Sequence, residues 1–161
     1  MRKIIAFVNA AYQWFVSFAS KARSPLLLLV RLYWGGQFAQ SGWGKLHHLD
    51  QVTQFFTSLG LPAAHGTALF VAMIEFVGGI LFALGLGSRV TALVLFANMT
   101  VAYWAANPNA FAGIFSDPGR FYAAAPYTFW FASLLILVLG PGFFSLDILI
   151  GRWLNPPEYE Y

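Results

Sequence analysis

The run TALFVAMIEFVGGILFALGLG, Thr67 to Gly87, decides the fold. At about 1.5 Å per helical residue it is long enough to cross the ~30 Å hydrocarbon core of a bilayer. It carries one charge, Glu75, near its middle. An ionisable group at that depth is expensive to insert and is kept where it has a partner or a task. One other apolar stretch, Pro25 to Gly42, has the same anomaly with the opposite sign, at Arg31. The two helices are expected to meet around these charges.

Outward from this stretch, the composition fits the same solvent. The chain has 161 residues, 59% hydrophobic and 9% charged, where a soluble domain carries about a quarter charged residues. So few charges cannot cover a water-facing surface. The expected fold class is all-α: an integral membrane four-transmembrane-helix bundle with an N-terminal amphipathic interfacial helix. Spans are expected at about 25–42, 67–86, 89–106 and 126–140. The lipid bilayer is therefore the first partner. A net charge of +3 without a basic reading motif gives no support to nucleic-acid binding. The chain has no cysteine, which excludes disulfide chemistry and iron–sulfur clusters carried by this chain alone.

Residues 1–23 read as the amphipathic helix. Ile5, Val8, Tyr12, Phe15 and Phe18 fall on one side, while Asn9, Gln13 and Ser17 fall on the other. Such a helix lies in the membrane interface or on a partner protein. Asn9 and Gln13 interrupt any signal-peptide core, so the segment is expected to be retained. Ser24-Pro25 reads as a helix start, opening the membrane domain at 24–150. Lys45 to Pro62 reads as a second interfacial helix, and Gly87-Ser88 as a tight turn between antiparallel neighbours. Asn107 to Ala125 reads as an interfacial or partly re-entrant loop. Gly140-Pro141-Gly142 breaks the fourth span, a short helix follows, and residues 151–161 form a tail containing Pro156-Pro157. Arg2, Lys3, Lys21, Arg23, Arg89 and Arg152 fall on one side, against Lys45 and Arg120 on the other. The positive-inside rule then makes the protein multi-pass with both termini cytoplasmic.

Arg31, Gly35 and Ala39 are four apart, and so are Glu75, Gly79, Ala83 and Gly87. Each charge heads a stripe of small residues, which lets helix backbones approach closely in lipid. Depths counted from the two ends leave roughly 9 Å between the Arg31 and Glu75 backbones along the normal. A long side chain, helix tilt or one water closes that gap, with Lys45 as the competing partner for Glu75. Two readings stay open: an ion pair that locks helices in register, or a ligand site walled by Trp34. His47, His48 and His65 share the far side and are weak metal candidates, with Asp50 and Asp117 as further carboxylates. Asp147 is placed to neutralise Arg89 on the near side. No catalytic nucleophile, carboxylate dyad or phosphate-binding loop is present.

The order of three motifs resembles the DoxX family. RLYWGGQFAQSGWGK, Arg31 to Lys45, is similar to the family's first-helix signature; EFVGGILFALGLGSR, Glu75 to Arg89, to its second helix and connecting loop; GPGFFSLD, Gly140 to Asp147, to its close after the fourth helix. The resemblance implies a four-helix protein of the bacterial inner (plasma) membrane. It carries over Arg31, Lys45, Glu75, Arg89 and Asp147 as motif positions. Relatives include the membrane subunit of a thiosulfate:quinone oxidoreductase, and a mycobacterial member that is associated with a superoxide dismutase and a sulfurtransferase. The implied function is a membrane subunit supporting a redox or oxidative and sulfur-stress complex, a quinone-linked oxidoreductase subunit if it is enzymatic. A quinone or other amphipathic ligand is expected near the Arg31/Glu75 seam, with a protein partner or homo-oligomer. The alternatives are a small transporter, a metal-handling accessory protein, or a non-catalytic membrane scaffold.

Overall fold

A computed structural model describes residues 2–154, with side chains from residue 5 onward. The end of the tail, with Pro156-Pro157, and the side chains of Arg2 and Lys3 lie outside the described residues. Within them the chain is all-helical: α1 Arg2–His47, α2 Leu49–Ser58, α3 Ala64–Leu84, α4 Ser88–Ala106, α5 Pro108–Ala112, α6 Pro118–Ala123, α7 Tyr127–Leu139 and α8 Leu146–Leu154. α1 packs on α3, α3 on α4, α4 on α7, and α7 returns to α1.

The hydrophobic pattern of these helices is that of a membrane protein. α3 and α4 are long and apolar enough to cross a bilayer, and α7 is a shorter apolar helix. Several large apolar side chains of α3 point outward, with Leu69, Phe70, Met73, Val77 and Ile80 exposed. The one carboxylate of that helix points inward, and Glu75 is 1% exposed. Lipid accepts the first group and rejects the second, so the inversion matches the solvent.

The sequence reading is corrected at the start of α1. Pro25 stands inside a 46-residue helix rather than at its first position. The Ser24 hydroxyl does not cap α1; it accepts from the Phe143 N–H at 3.3 Å. Proline removes one backbone bond, and this one falls where residues 21–23 are exposed. A helix of that length extends about 69 Å, more than twice the hydrocarbon core. The half before Pro25 therefore projects past the packed helices, and every described side chain from 5 to 23 is exposed.

The small-residue stripes do interleave. A methyl group on Gly35 would stand 2.7 Å from the Ala83 backbone nitrogen and 2.8 Å from the Gly79 carbonyl oxygen. Gly42 faces Ala72 and Phe76 in the same way, and Gly79 faces Ala39. α1 and α3 consequently touch backbone to backbone, the arrangement that small residues permit where lipid supplies no hydrophobic drive. Beside this seam Leu27, Phe38, Phe82, Leu95, Met99 and Ile136 form the core.

The connections are capped turns. Gly85 at φ 70° ends α3 with left-handed geometry, the usual C-terminal cap for glycine. Residues 107–125, expected as a loop, instead form α5 and α6. Asp117 accepts from the Arg120 N–H at 3.2 Å, and the Tyr103 hydroxyl donates to the Phe121 carbonyl at 2.8 Å. These bonds satisfy backbone that an irregular loop would leave open. α8 also reaches Leu154, so residues 151–154, assigned to the tail, are helical.

Candidate functional site

The register of α1 against α3 decides which charges meet. The helices run antiparallel, with Gly42 opposite Ala72 and Phe76, and Gly35 opposite Gly79 and Ala83. Glu75 therefore lies level with the turn around Gly42, and Arg31 lies level with Gly85. The two charges are about 17 Å apart along the helix axis by helical rise. The expected Arg31–Glu75 seam is corrected on this point: they are ends of one interface, not a pair.

Glu75 is held by three side chains from two elements. Lys45 of α1 forms an ion pair with Oε1, and the Ser41 hydroxyl one turn earlier donates to Oε2 at 2.9 Å. From α4 the Asn98 amide donates to Oε1 at 3.4 Å. The carboxylate is almost fully buried, while 29% of the Lys45 side chain stays exposed. A buried ion pair survives when its remaining lone pairs are hydrogen-bonded, as Ser41 and Asn98 arrange here. Ser41 and Asn98 were absent from the sequence reading. Asn98 is a polar amide in the middle of an apolar span, the same signal that singled out Glu75.

Two adjoining chambers open on this cluster. The first has a volume of about 360 Å³ and is walled by Val52, Phe55 and Phe56 of α2, Leu59 just after it, Val71 of α3 and Val101, Ala102 and Ala105 of α4. The second, about 350 Å³, runs past Phe38, Ser41 and Met99 to Pro126 and Phe129. Both share Lys45, Phe55, Glu75, Ala102 and Ala106. Among the described residues, Lys45 and Glu75 are the only charged ones in either wall. The site is thus an apolar slot with one donor-rich, acceptor-rich spot at its base. That chemistry suits an amphipathic molecule with a polar head.

The other sequence candidates sit elsewhere. Arg31 is fully buried at the other end of the α1–α3 interface, where one Nη donates to the Phe144 carbonyl. Trp34 packs edge-on against Phe129 at 5.4 Å and belongs to the core beside the second chamber. His47 and His48 bond through Nδ1 to the Trp43 and Gly44 carbonyls at 3.0 and 2.9 Å, and His65 meets Thr53 at 3.3 Å. A carbonyl only accepts, so Nδ1 of His47 and of His48 carries the proton. Among the described residues no three His, Asp or Glu side chains converge for a metal.

Asp147 does not pair with Arg89, a second correction. Its oxygens accept from the Gly87 and Ser88 N–H groups at 2.7 and 2.8 Å, capping the start of α4. Its own N–H donates to the Gly85 carbonyl at 3.0 Å. Free N–H groups at a helix start attract a carboxylate more firmly than a solvated arginine does. Burial opposes ionisation of Asp147, but the bonds from the Ser88 and Gly87 backbone N–H groups, with the Arg31 charge, outweigh it. The carboxyl is held below its ordinary value. Arg89 lies near Gly140.

The DoxX family model matches residues 26–108, which include Ser41, Lys45, Glu75 and Asn98. The "Uncharacterized membrane protein Rv3486" of Mycobacterium tuberculosis (strain ATCC 25618 / H37Rv) is 33% identical over 130 residues, covering 76% of this chain and 80% of that protein. The "Putative oxidoreductase CatD" of Bacillus subtilis (strain 168) is 40% identical over 70 residues, 44% of this chain and 50% of that protein. No solved structure matches the chain.

Proposed function

The chain belongs to the DoxX family of membrane proteins, and from that premise we propose that it is a quinone-binding membrane subunit of a redox complex. In this reading it resides in a bacterial plasma membrane. Four segments span it, the part of α1 after Pro25, α3, α4 and α7, with both termini in the cytoplasm. The exposed helix before Pro25 lies on the membrane surface or on a protein partner. The oxidoreductase name of the Bacillus relative supports the redox assignment.

The observation that carries the proposal is the apolar slot ending on Lys45, Glu75 and Asn98. A quinone supplies paired electron and proton chemistry. The residues fit its head group: the Lys45 ammonium and Asn98 amide donate to a ring carbonyl, and Glu75 accepts from a ring hydroxyl. Aromatic and aliphatic walls from α2 and α4 exclude water and take the ring and the first part of an apolar tail. Chambers of this size fall within the range of small-molecule sites, about 300–1,000 Å³.

The test is equilibrium binding of a short-chain quinone to the purified protein, read by tryptophan quenching. Ala102 lines both chambers and is half-buried. Ala102→Phe should fill them, weakening binding on the order of tenfold, equivalent to about 1.4 kcal/mol, while the protein stays folded. Binding that is unsaturable, or unchanged in Ala102→Phe, would refute the proposal.

A further inference from the structure

The Arg31 end of the helices holds a second, separate feature. Arg31 is 0% exposed, and its Nε and one Nη have no hydrogen-bond partner among the described residues. The other Nη donates to the Phe144 carbonyl. The unpartnered Nη1 lies where a side chain on Gly85 would stand, so a glycine makes room for the guanidinium. The nearest acid, Asp147, is occupied: both of its oxygens accept from the start of α4, and no ion pair joins it to Arg31 among the described residues. A buried cation without a contacting anion is costly and calls for one.

A cavity of about 360 Å³ adjoins Arg31. Leu28, Leu84, Ile148 and Leu149 give it apolar walls, and among the described residues its only other charged lining residue is Arg152. The Arg152 guanidinium lies 4.5 Å over the Phe143 ring at the exposed rim. Among the described residues, two arginines and no acid therefore line this apolar groove. The same end of the molecule carries Arg23, bonded to the Leu139 carbonyl, and Arg89 beside Gly140. Asp117, Arg120, Lys45 and Glu75 all belong to the opposite end.

We propose that this cavity binds the phosphate of an anionic phospholipid from the adjacent leaflet, with its oxygens on Arg31 and Arg152. The guanidinium fork matches phosphoryl oxygens better than an ammonium does. The first part of an acyl chain then follows Leu28, Leu84 and Leu149 toward the membrane. This site is separate from the Glu75 chamber and does not depend on what binds there.

The test is thermal unfolding of the purified full chain in a neutral detergent. The probes are dioctanoyl phosphatidylglycerol, dioctanoyl phosphatidylcholine and inorganic phosphate. The expected result is a saturable rise in Tm with phosphatidylglycerol, at a concentration on the order of tenfold below that needed for phosphatidylcholine, whose choline cation is repelled by the two arginines. Arg152→Gln, an exposed change, should abolish that preference, and Arg120→Gln at the other end should keep it. Arg31→Lys should weaken it where the protein folds; Arg152→Gln decides alone where it does not. Equal stabilisation by both lipids would overturn the proposal. So would an equal shift with inorganic phosphate, which marks a free-anion site, or a preference that survives in Arg152→Gln.

Discussion

Replacing Glu75 by glutamine separates the observed pair from the alternative that the positions of the charges suggest. The change removes the carboxylate and leaves Lys45 facing an amide. Losing one partner of a fully buried ion pair costs about 3–5 kcal/mol. Here 29% of the Lys45 side chain is exposed, so its ammonium can rehydrate. Glutamine can also still accept from Ser41 and Asn98. Both facts reduce the loss to about 1–3 kcal/mol, the range of one unsatisfied or weakened charge-assisted bond. A double-mutant cycle isolates the pair: Glu75→Gln and Lys45→Met, singly and together, by reversible unfolding in detergent. The predicted coupling is above about 1 kcal/mol. The parallel cycle of Glu75→Gln with Arg31→Lys should be additive within about 0.5 kcal/mol, because the residues share no partner and lie well beyond contact. Strong coupling to Arg31, or none to Lys45, would refute the register of α1 against α3.

Other outcomes follow from the same geometry. Gly35→Leu should block close packing of α1 on α3 and destabilise by about 3 kcal/mol or more. Gly36→Leu, with nothing within 4 Å of its Cβ, should change stability by less than about 0.5 kcal/mol. Asp147 has its folded-state pKa depressed, so the stability it contributes is present above its unfolded value. That contribution should be lost as pH falls through the folded value. Asp147→Asn should flatten this acid limb in unfolding scans taken across the carboxylate range.

The helices were readable in the sequence because their evidence is additive: long apolar runs, glycines where turns need them, and few charges. α3 and α4 came within a few residues of 67–86 and 89–106, and the small-residue stripes pointed correctly to the α1–α3 contact. What failed was the preference between partners, since Lys45, named only as the competitor, is the one that pairs with Glu75. Depth measured from assumed helix ends placed Arg31 near Glu75. The antiparallel register, fixed by Gly35 against Ala83 and Gly42 against Phe76, sets Glu75 beside Ser41 and Lys45 instead. Helix starts failed similarly. Ser24-Pro25 has the chemistry of a cap, but the Ser24 hydroxyl is taken by the distant Phe143 N–H, a contact local sequence does not report. Asp147 was paired by charge with Arg89, when backbone donors 60 residues away in sequence were the stronger partners.

The chambers were not legible at all, since they arise from how α2 leans on α3 beside α4. Yet their polar base was partly visible. Applying the rule used for Glu75 to every polar residue inside an apolar span would have added Asn98.

The central claim is that the slot over Lys45, Glu75 and Asn98 is the ligand site. A photoreactive quinone analogue, activated on the purified protein and mapped by peptide mass spectrometry, addresses it most directly. The account predicts saturable labelling confined to α2 and α4, at Phe55, Val101 or Ala105, that excess quinone suppresses and that Ala102→Phe reduces. Labelling centred on Arg31 and α8, or spread over the lipid-facing surface without competition, would contradict it.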